Sequence, residues 1–284
     1  MEFRKKRKKT FILFLTFLTL GILGGSFLFW KNQQDPSPAN KSNETASTST
    51  PTSSPTPQYP KVTNWQVPIL MYHYIRDASG ESQLGKNLSV NPTNFDLHLK
   101  WLQDNDYESL TVADLSDPDK KILSQIIGEG KKPVIITFDD GYEDAYTNAL
   151  PVLEKYKMTA TFYVIRDYVG RPEYMNQKQI DSLEKAGFEI GSHTLSHPDL
   201  TKISLEDGQK QISDSKEDST TFCYPAGRYN DTTVDLIKKA GYKAAVTTHF
   251  GIADQDSLDL ELPRVRVEES SGQALGNKIN AAYK

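Results

Sequence analysis

The stretch VIITFDDGYED, Val134 to Asp144, opens on five residues that are all apolar or β-branched and then turns abruptly to two acids and a glycine. An apolar run of this length without alternation reads as a strand buried on both faces, the kind that parallel sheets contain. Asp139, Asp140 and Gly141 mark its end. Comparable runs recur at Val67 to Tyr72, Thr159 to Ile165, Phe188 to Ser192, Thr221 to Tyr224 and Ala244 to Thr247. Between them apolar side chains fall at helical spacing: Phe95, Leu99 and Leu102; Ala145, Ala149, Val152 and Tyr156; Val234, Ile237 and Ala240. Strands alternating with helices predict an α/β fold whose parallel strands are joined by crossover helices.

In such folds the functional groups collect at the carboxyl ends of the strands. The first run ends near His73, the second at Asp139 and Asp140, and the run from Phe188 ends at His193 and His197. These last two are among only five histidines in the chain. Four-residue spacing would put both imidazoles on one face of a helix. Phe188 to Ile190 alternates like a strand, however, and Pro198 disfavours helix at His197, so the pair is assigned to a strand-end loop. One carboxylate with two neutral imidazoles is a ligand set that suits Zn²⁺, Co²⁺ or Ni²⁺ and leaves a coordination position open. The neighbouring carboxylate is then available to take a proton from water. Alone, each motif reads as a solvated turn or loop; their convergence on one rim favours a metal site.

The amino terminus predicts a membrane anchor. Six consecutive cations from Arg4 to Lys9 precede an uncharged stretch from Phe11 to Trp30, long enough for a hydrocarbon core of about 30 Å. Residues 1–9 are expected in the cytoplasm and residues 10–30 across the bilayer, with everything after Trp30 outside the cell, or secreted if the segment is cleaved. Residues 31–64 are rich in Pro, Ser, Thr and Asn and read as a disordered linker. Residues 65–284, about 220 in number, suit one catalytic domain. The net charge of -4 becomes -9 once residues 1–9 are set aside, which argues against a nucleic-acid partner. The single cysteine, Cys223, cannot form an intrachain disulfide and reads as a buried strand thiol.

Taken together, TFDDG, HTLSH and FCYPAGRYN resemble the motifs of polysaccharide deacetylases with a NodB homology domain, carbohydrate esterase family 4, over roughly Pro68 to Val267. The resemblance implies a distorted (β/α) barrel that hydrolyses N-acetyl groups from a glycan such as peptidoglycan or poly-N-acetylglucosamine. It implies Asp139 as general base, Asp140, His193 and His197 as metal ligands, and the Tyr224 backbone N–H as an oxyanion donor. Cys223, Tyr224 and Pro225 stand where most members have an Arg-Pro pair, and LPRVRV lacks the late histidine that serves as acid. VPILMYHYI instead looks like the permuted subgroup containing poly-N-acetylglucosamine deacetylases, which gives His73 the role of general acid. From charge and position, Arg264 or Arg266 replaces the missing arginine beside Asp139.

Tyr142 and Tyr229 are candidate platforms for stacking sugars. His98, on a helical pattern, reads as a boundary residue, and His249 as a candidate for the cleft rim. The loops Arg76 to Val90 and Arg166 to Asn176 are expected to set specificity, and the domain is expected to act as a monomer. Two other functions suit the same residues: an O-acetyl esterase on xylan or another glycan, and a wall-binding module without turnover.

Overall fold

The computed structural model describes residues 58–283. The expected cytoplasmic segment, anchor and most of the linker therefore lie outside the described residues. Among the described residues no helix is long and apolar enough to cross a membrane. The packed unit already includes part of the expected linker: the Tyr59 ring covers Gly128, and Val62 donates its N–H to the Ser124 hydroxyl at 3.1 Å.

Eight strands form one parallel sheet: β1 (Ile69–Tyr72), β2 (Tyr107–Leu110), β3 (Lys132–Phe138), β4 (Thr161–Val164), β5 (Glu189–Ser192), β6 (Thr221–Cys223), β7 (Ala244–Phe250) and β8 (Leu262–Arg266). Seven of them close into a barrel in the order β1-β3-β4-β5-β6-β7-β8, with β8 pairing back onto β1. Strand β2 stands outside the ring. It pairs with Lys132 to Ile135, and β4 takes over the same edge of β3 at Thr137 and Phe138.

Every expected strand is present, with shifted ends, except that Val67 belongs to a separate antiparallel pair with Ala253. Strands β2 and β8 were not anticipated. YESL is short and half polar, and LPRVR carries a proline and two arginines where a central strand should be apolar. The structure explains both exceptions in β8. Pro263 falls where the register between β7 and β8 is irregular, between the pairs Val246–Leu262 and Phe250–Arg264, so its missing N–H interrupts no regular ladder. Arg264 points into the barrel.

Alternation divides the strand residues between two layers. Leu70, Tyr72, Ile136, Phe138, Phe162 and Val265 face outward under α1 (Pro92–Asp104), α4 (Leu150–Tyr156), α5 (Gln177–Lys185) and α8 (Gly272–Ala282). Ile69, Ile135, Tyr163, Cys223, Val246 and Leu262 face inward, joined by residues of α2 (Val112–Ser116) and α3 (Lys121–Gly128). Phe222, Tyr224 and Ala245 pack under α6 (Leu205–Ser213) and α7 (Asp231–Lys239). His98 is wholly buried on α1 rather than at a boundary: Tyr72 donates to Nδ1 at 3.2 Å, and Nε2 faces the Ser270 carbonyl at 2.9 Å. Burial pulls its pKa down to about 4, which keeps it neutral.

At the amino ends of the strands, the Glu189 carboxylate ties α2 to the barrel. It accepts from the Ala113 N–H at 3.0 Å, from the Thr161 hydroxyl at 2.7 Å and from the Thr221 hydroxyl. Removing it leaves these donors unmatched, and Glu189→Ala is expected to reduce stability by about 1–3 kcal/mol in denaturant unfolding. Burial raises the Glu189 pKa above 4.5. The stability linked to its proton is therefore fully present below pH 4.5 and lost as pH rises through the folded value. A Glu189→Gln variant should lack this dependence.

Candidate active site

The site lies on the carboxyl rim of the barrel. Asp139 continues the ladder of β3, donating its N–H to Tyr72 at 2.9 Å, and its side chain turns inward. There Arg264 grips it with two parallel bonds, Nη1 to Oδ1 at 2.7 Å and Nη2 to Oδ2 at 2.8 Å. The other three guanidinium protons go to the Thr247 carbonyl at 2.7 Å, the Thr137 hydroxyl at 3.0 Å and the Cys223 sulfur at 3.3 Å. All five donors are thus matched, which allows this arginine to be buried with no more than 1% exposure. Burial pushes the Asp139 carboxyl up, but the charge and hydrogen bonds of Arg264, helped by His73 and His193, outweigh it and hold it well below the usual carboxylate range. Arg264, not Arg266, is the arginine that reaches Asp139.

The next residue is aimed elsewhere by its backbone. Asp140 and Gly141 both adopt left-handed conformations, with φ of 74° and 79°, and this leaves the strand path and sends the second carboxylate to the opposite loop. Asp140 Oδ1 lies 3.3 Å from His193 Nε2 and 3.5 Å from His197 Nε2. Burial raises the Asp140 carboxyl, and His193, by hydrogen bond and charge, brings it below its ordinary value.

The histidine loop is not helical. Thr194 and His197 have φ of 65° and 59°, sparsely populated for a β-branched residue in particular. The Thr194 hydroxyl accepts the His197 N–H at 2.9 Å, and Gln211 Oε1 accepts the Ser196 N–H at 3.0 Å, fixing the turn that folds His197 back toward His193. His193 donates Nδ1–H to the Cys223 carbonyl at 2.7 Å, so Nε2 carries the lone pair that faces Asp140.

Asp140, His193 and His197 are the one group found among the described residues that could hold a metal ion, with ligand atoms within 4.8 Å of one another. Ligands about 2.0–2.1 Å from a tetrahedral ion sit about 3.3–3.4 Å apart, and the two carboxylate-to-imidazole distances match that edge. The donor set therefore fits a divalent ion of the zinc type.

His73 follows β1, with Nε2 at 3.8 Å from Asp139 Oδ2. Burial lowers its pKa, opposed by the charges of Asp139 and Asp140. Two residues on, Ile75 is held at both ends: its N–H goes to Asp144 at 3.2 Å, and its carbonyl accepts from Asn148 at 2.7 Å. Asp144, raised to about 6 by burial, and Asn148 support this segment, yet in the sequence they looked like ordinary polar residues after the DDG turn.

One expectation is corrected by the geometry. The Tyr224 N–H points at the Val246 carbonyl, 3.3 Å away, and so continues the sheet instead of facing a substrate. The next amide along is that of Ala226, in the first turn of the short helix Pro225–Gly227 with φ of 51°, where N–H groups have no partner within the helix. Tyr142 stacks on Tyr74 with centroids 3.8 Å apart and lies 5.0 Å from the tilted ring of Tyr174, so a protein ring occupies one of its faces. Tyr229 likewise stacks on Tyr224 at 4.5 Å, and its hydroxyl is held by Glu261 at 2.9 Å. Each tyrosine thus gives one ring face to a neighbouring protein ring. Next to Tyr142 the chain is tied to the 166–176 loop, since Met175 donates to the Gly141 carbonyl at 3.0 Å and Glu143 to the Glu173 carbonyl at 2.8 Å.

A closed parallel barrel with an arginine-held carboxylate beside an Asp-His-His cluster defines a hydrolase of the glycan deacetylase class. A polysaccharide deacetylase family profile matches residues 127–245. Bacillus subtilis YxkH, grouped by name with the polysaccharide deacetylases, is 37% identical over 225 residues, 76% of this chain and 77% of that protein. The poly-beta-1,6-N-acetyl-D-glucosamine N-deacetylase of Staphylococcus aureus strain MRSA252 is 29% identical over 240 residues, 72% of this chain and 80% of its own. The structure of Streptococcus pyogenes deacetylase PplD in complex with acetate superposes with a TM-score of 0.68 at 32% identity, covering 76% of this chain and 99% of that one. The chain belongs to the polysaccharide deacetylase family, carbohydrate esterase family 4, whose members hydrolyse amide bonds.

Proposed function

We propose that this protein removes N-acetyl groups from an N-acetylglucosamine-containing cell-wall or extracellular polysaccharide, with a divalent ion, zinc by preference, held by Asp140, His193 and His197. The observation that carries this reading is the separation of the two adjacent acids: Asp139 is clamped by Arg264, while Asp140 lies between two imidazoles. Bound there, such an ion supplies Lewis acidity, polarising the acetyl carbonyl and acidifying water.

The protein residues divide the proton work. Asp139 accepts a proton as water attacks the acetamide carbonyl, and Arg264 keeps its oxygens aimed. Because its pKa is held low, Asp139 does not retain the proton, and His73 stands 3.8 Å away to receive it. His73 then protonates the amide nitrogen, the C–N bond breaks, and acetate leaves with the glycan amine. In this reading the Ala226 amide, which follows the sheet-bound Tyr224 in the same turn, is the donor for the oxyanion of the tetrahedral adduct, a contribution of about 3–4 kcal/mol for a well-aimed donor.

The cationic and apolar residues 1–30 support a surface-tethered enzyme with its catalytic domain outside the cell. Acetate release is to be measured on β-1,4- and β-1,6-linked N-acetylglucosamine oligomers. Release that is abolished by chelation and restored by added Zn²⁺ is the expected result. No release from any oligomer with metal present would reject the proposal.

A further inference from the structure

A polymer-binding enzyme needs contacts beyond the reacting sugar. The carboxyl rim does hold one large apolar ring in the open. Phe250, the last residue of β7, is 58% exposed. A lone exposed aromatic is unremarkable by itself; its register makes this one specific.

Phe250 pairs with Arg264 in the parallel ladder. Laterally paired residues of a parallel sheet project to the same face, and Arg264 projects inward to Asp139. The Phe250 side chain therefore leaves the sheet on the barrel-axis side, at the rim above the Arg264–Asp139 pair. Its backbone is well held for a strand end. His249 donates its N–H to the Thr247 hydroxyl at 3.1 Å, Gly251 lies against the Pro263 ring, and the turn at Gly227 packs onto Thr248. That same turn carries Ala226. The ring thus stands at a strand end one lateral step from Arg264, with solvent over it.

We propose that Phe250 is a stacking platform for a pyranose ring of the polysaccharide, one unit along from the sugar that loses its acetyl group. This rests on the hydrolytic reading above. A pyranose presents a face of axial C–H groups, weakly positive and apolar, which complements the negative face of an aromatic ring. The platform binds the chain without touching the reacting amide, so its contribution is to ground-state and transition-state binding alike.

Phe250→Ala, Phe250→Trp and wild type are to be compared as full chains. Affinity for N-acetylglucosamine tetramers is read by titration calorimetry under chelation, so that the ligand is not consumed, and acetate release is read with Zn²⁺ added. Phe250→Ala should bind tetramers about five- to tenfold more weakly and raise KM by a similar factor with kcat nearly unchanged. Phe250→Trp should retain or improve the affinity, and free N-acetylglucosamine should be affected by neither change. Because the side chain is mostly exposed, both variants should unfold at the wild-type midpoint. Equal tetramer affinity in Phe250→Ala and wild type, or no tetramer binding by wild type, overturns the platform. Wild type that binds tetramers with a Phe250-dependent affinity but releases no acetate overturns the hydrolytic reading and leaves the platform standing.

Discussion

Asp139→Asn is expected to reduce kcat for acetate release by about 10²- to 10⁴-fold, the range for loss of a positioned general base. The amide cannot accept a proton from water at neutral pH. It also presents an NH₂ group to one arm of the Arg264 guanidinium, which now holds a 2.7–2.8 Å carboxylate bond on each arm. A buried arginine without its counter-charge is destabilising by about 3–5 kcal/mol. Activity should therefore be compared well below the unfolding midpoint of the variant, with zinc uptake measured alongside. Because Asp140, His193 and His197 are untouched, zinc binding should stay within a few-fold of wild type. Loss of metal in the same proportion as activity would show that Asp139 acts on the cluster and not on the substrate water.

Arg264→Gln tests the same pair from the other side and should change the pH dependence as well as the rate. In the wild type the Asp139 pKa lies well below 3.8. Its contribution to stability is fully present above pH 3.8 and is lost as pH falls through the folded value. Without Arg264, burial is opposed only by the imidazoles of His73 and His193, so the folded pKa moves upward and the stability that depends on Asp139 ionisation shrinks. The acidic limb of the kcat/KM profile should move upward by about 1–3 pH units. At neutral pH the uncompensated carboxylate should lower stability by about 3–5 kcal/mol. A profile that keeps its acidic limb in place, with only a uniform fall in rate, would mean that Arg264 supports the barrel without setting the charge of Asp139.

How far each residue could be read in the sequence follows from the range of the forces that place it. VIITF is a strand because its own side chains exclude water on both faces, and HTLSH is a loop because Pro198 restricts His197; both causes act within a few residues. The three groups of the cluster, Asp140, His193 and His197, were legible because each follows a strand end within a few residues. LPRVR was not legible as a strand, since what makes it one is a bulge in β7 that accommodates Pro263 and an acid 125 positions away that neutralises Arg264. The surroundings of the tyrosines were not legible for a related reason. Residue type announced a flat apolar ring, but whether its faces are open depends on Tyr74, Tyr174 and Tyr224, which arrive from other loops.

The amino-acid order alone determined the strand–helix alternation, the side chains at the carboxyl rim and the family, because periodicity and residue chemistry are local properties. Closure of the barrel decided which arginine meets Asp139 and which carbonyl orients His193. Those are matters of register between strands distant along the chain, where a shift of one residue turns every side chain to the opposite face.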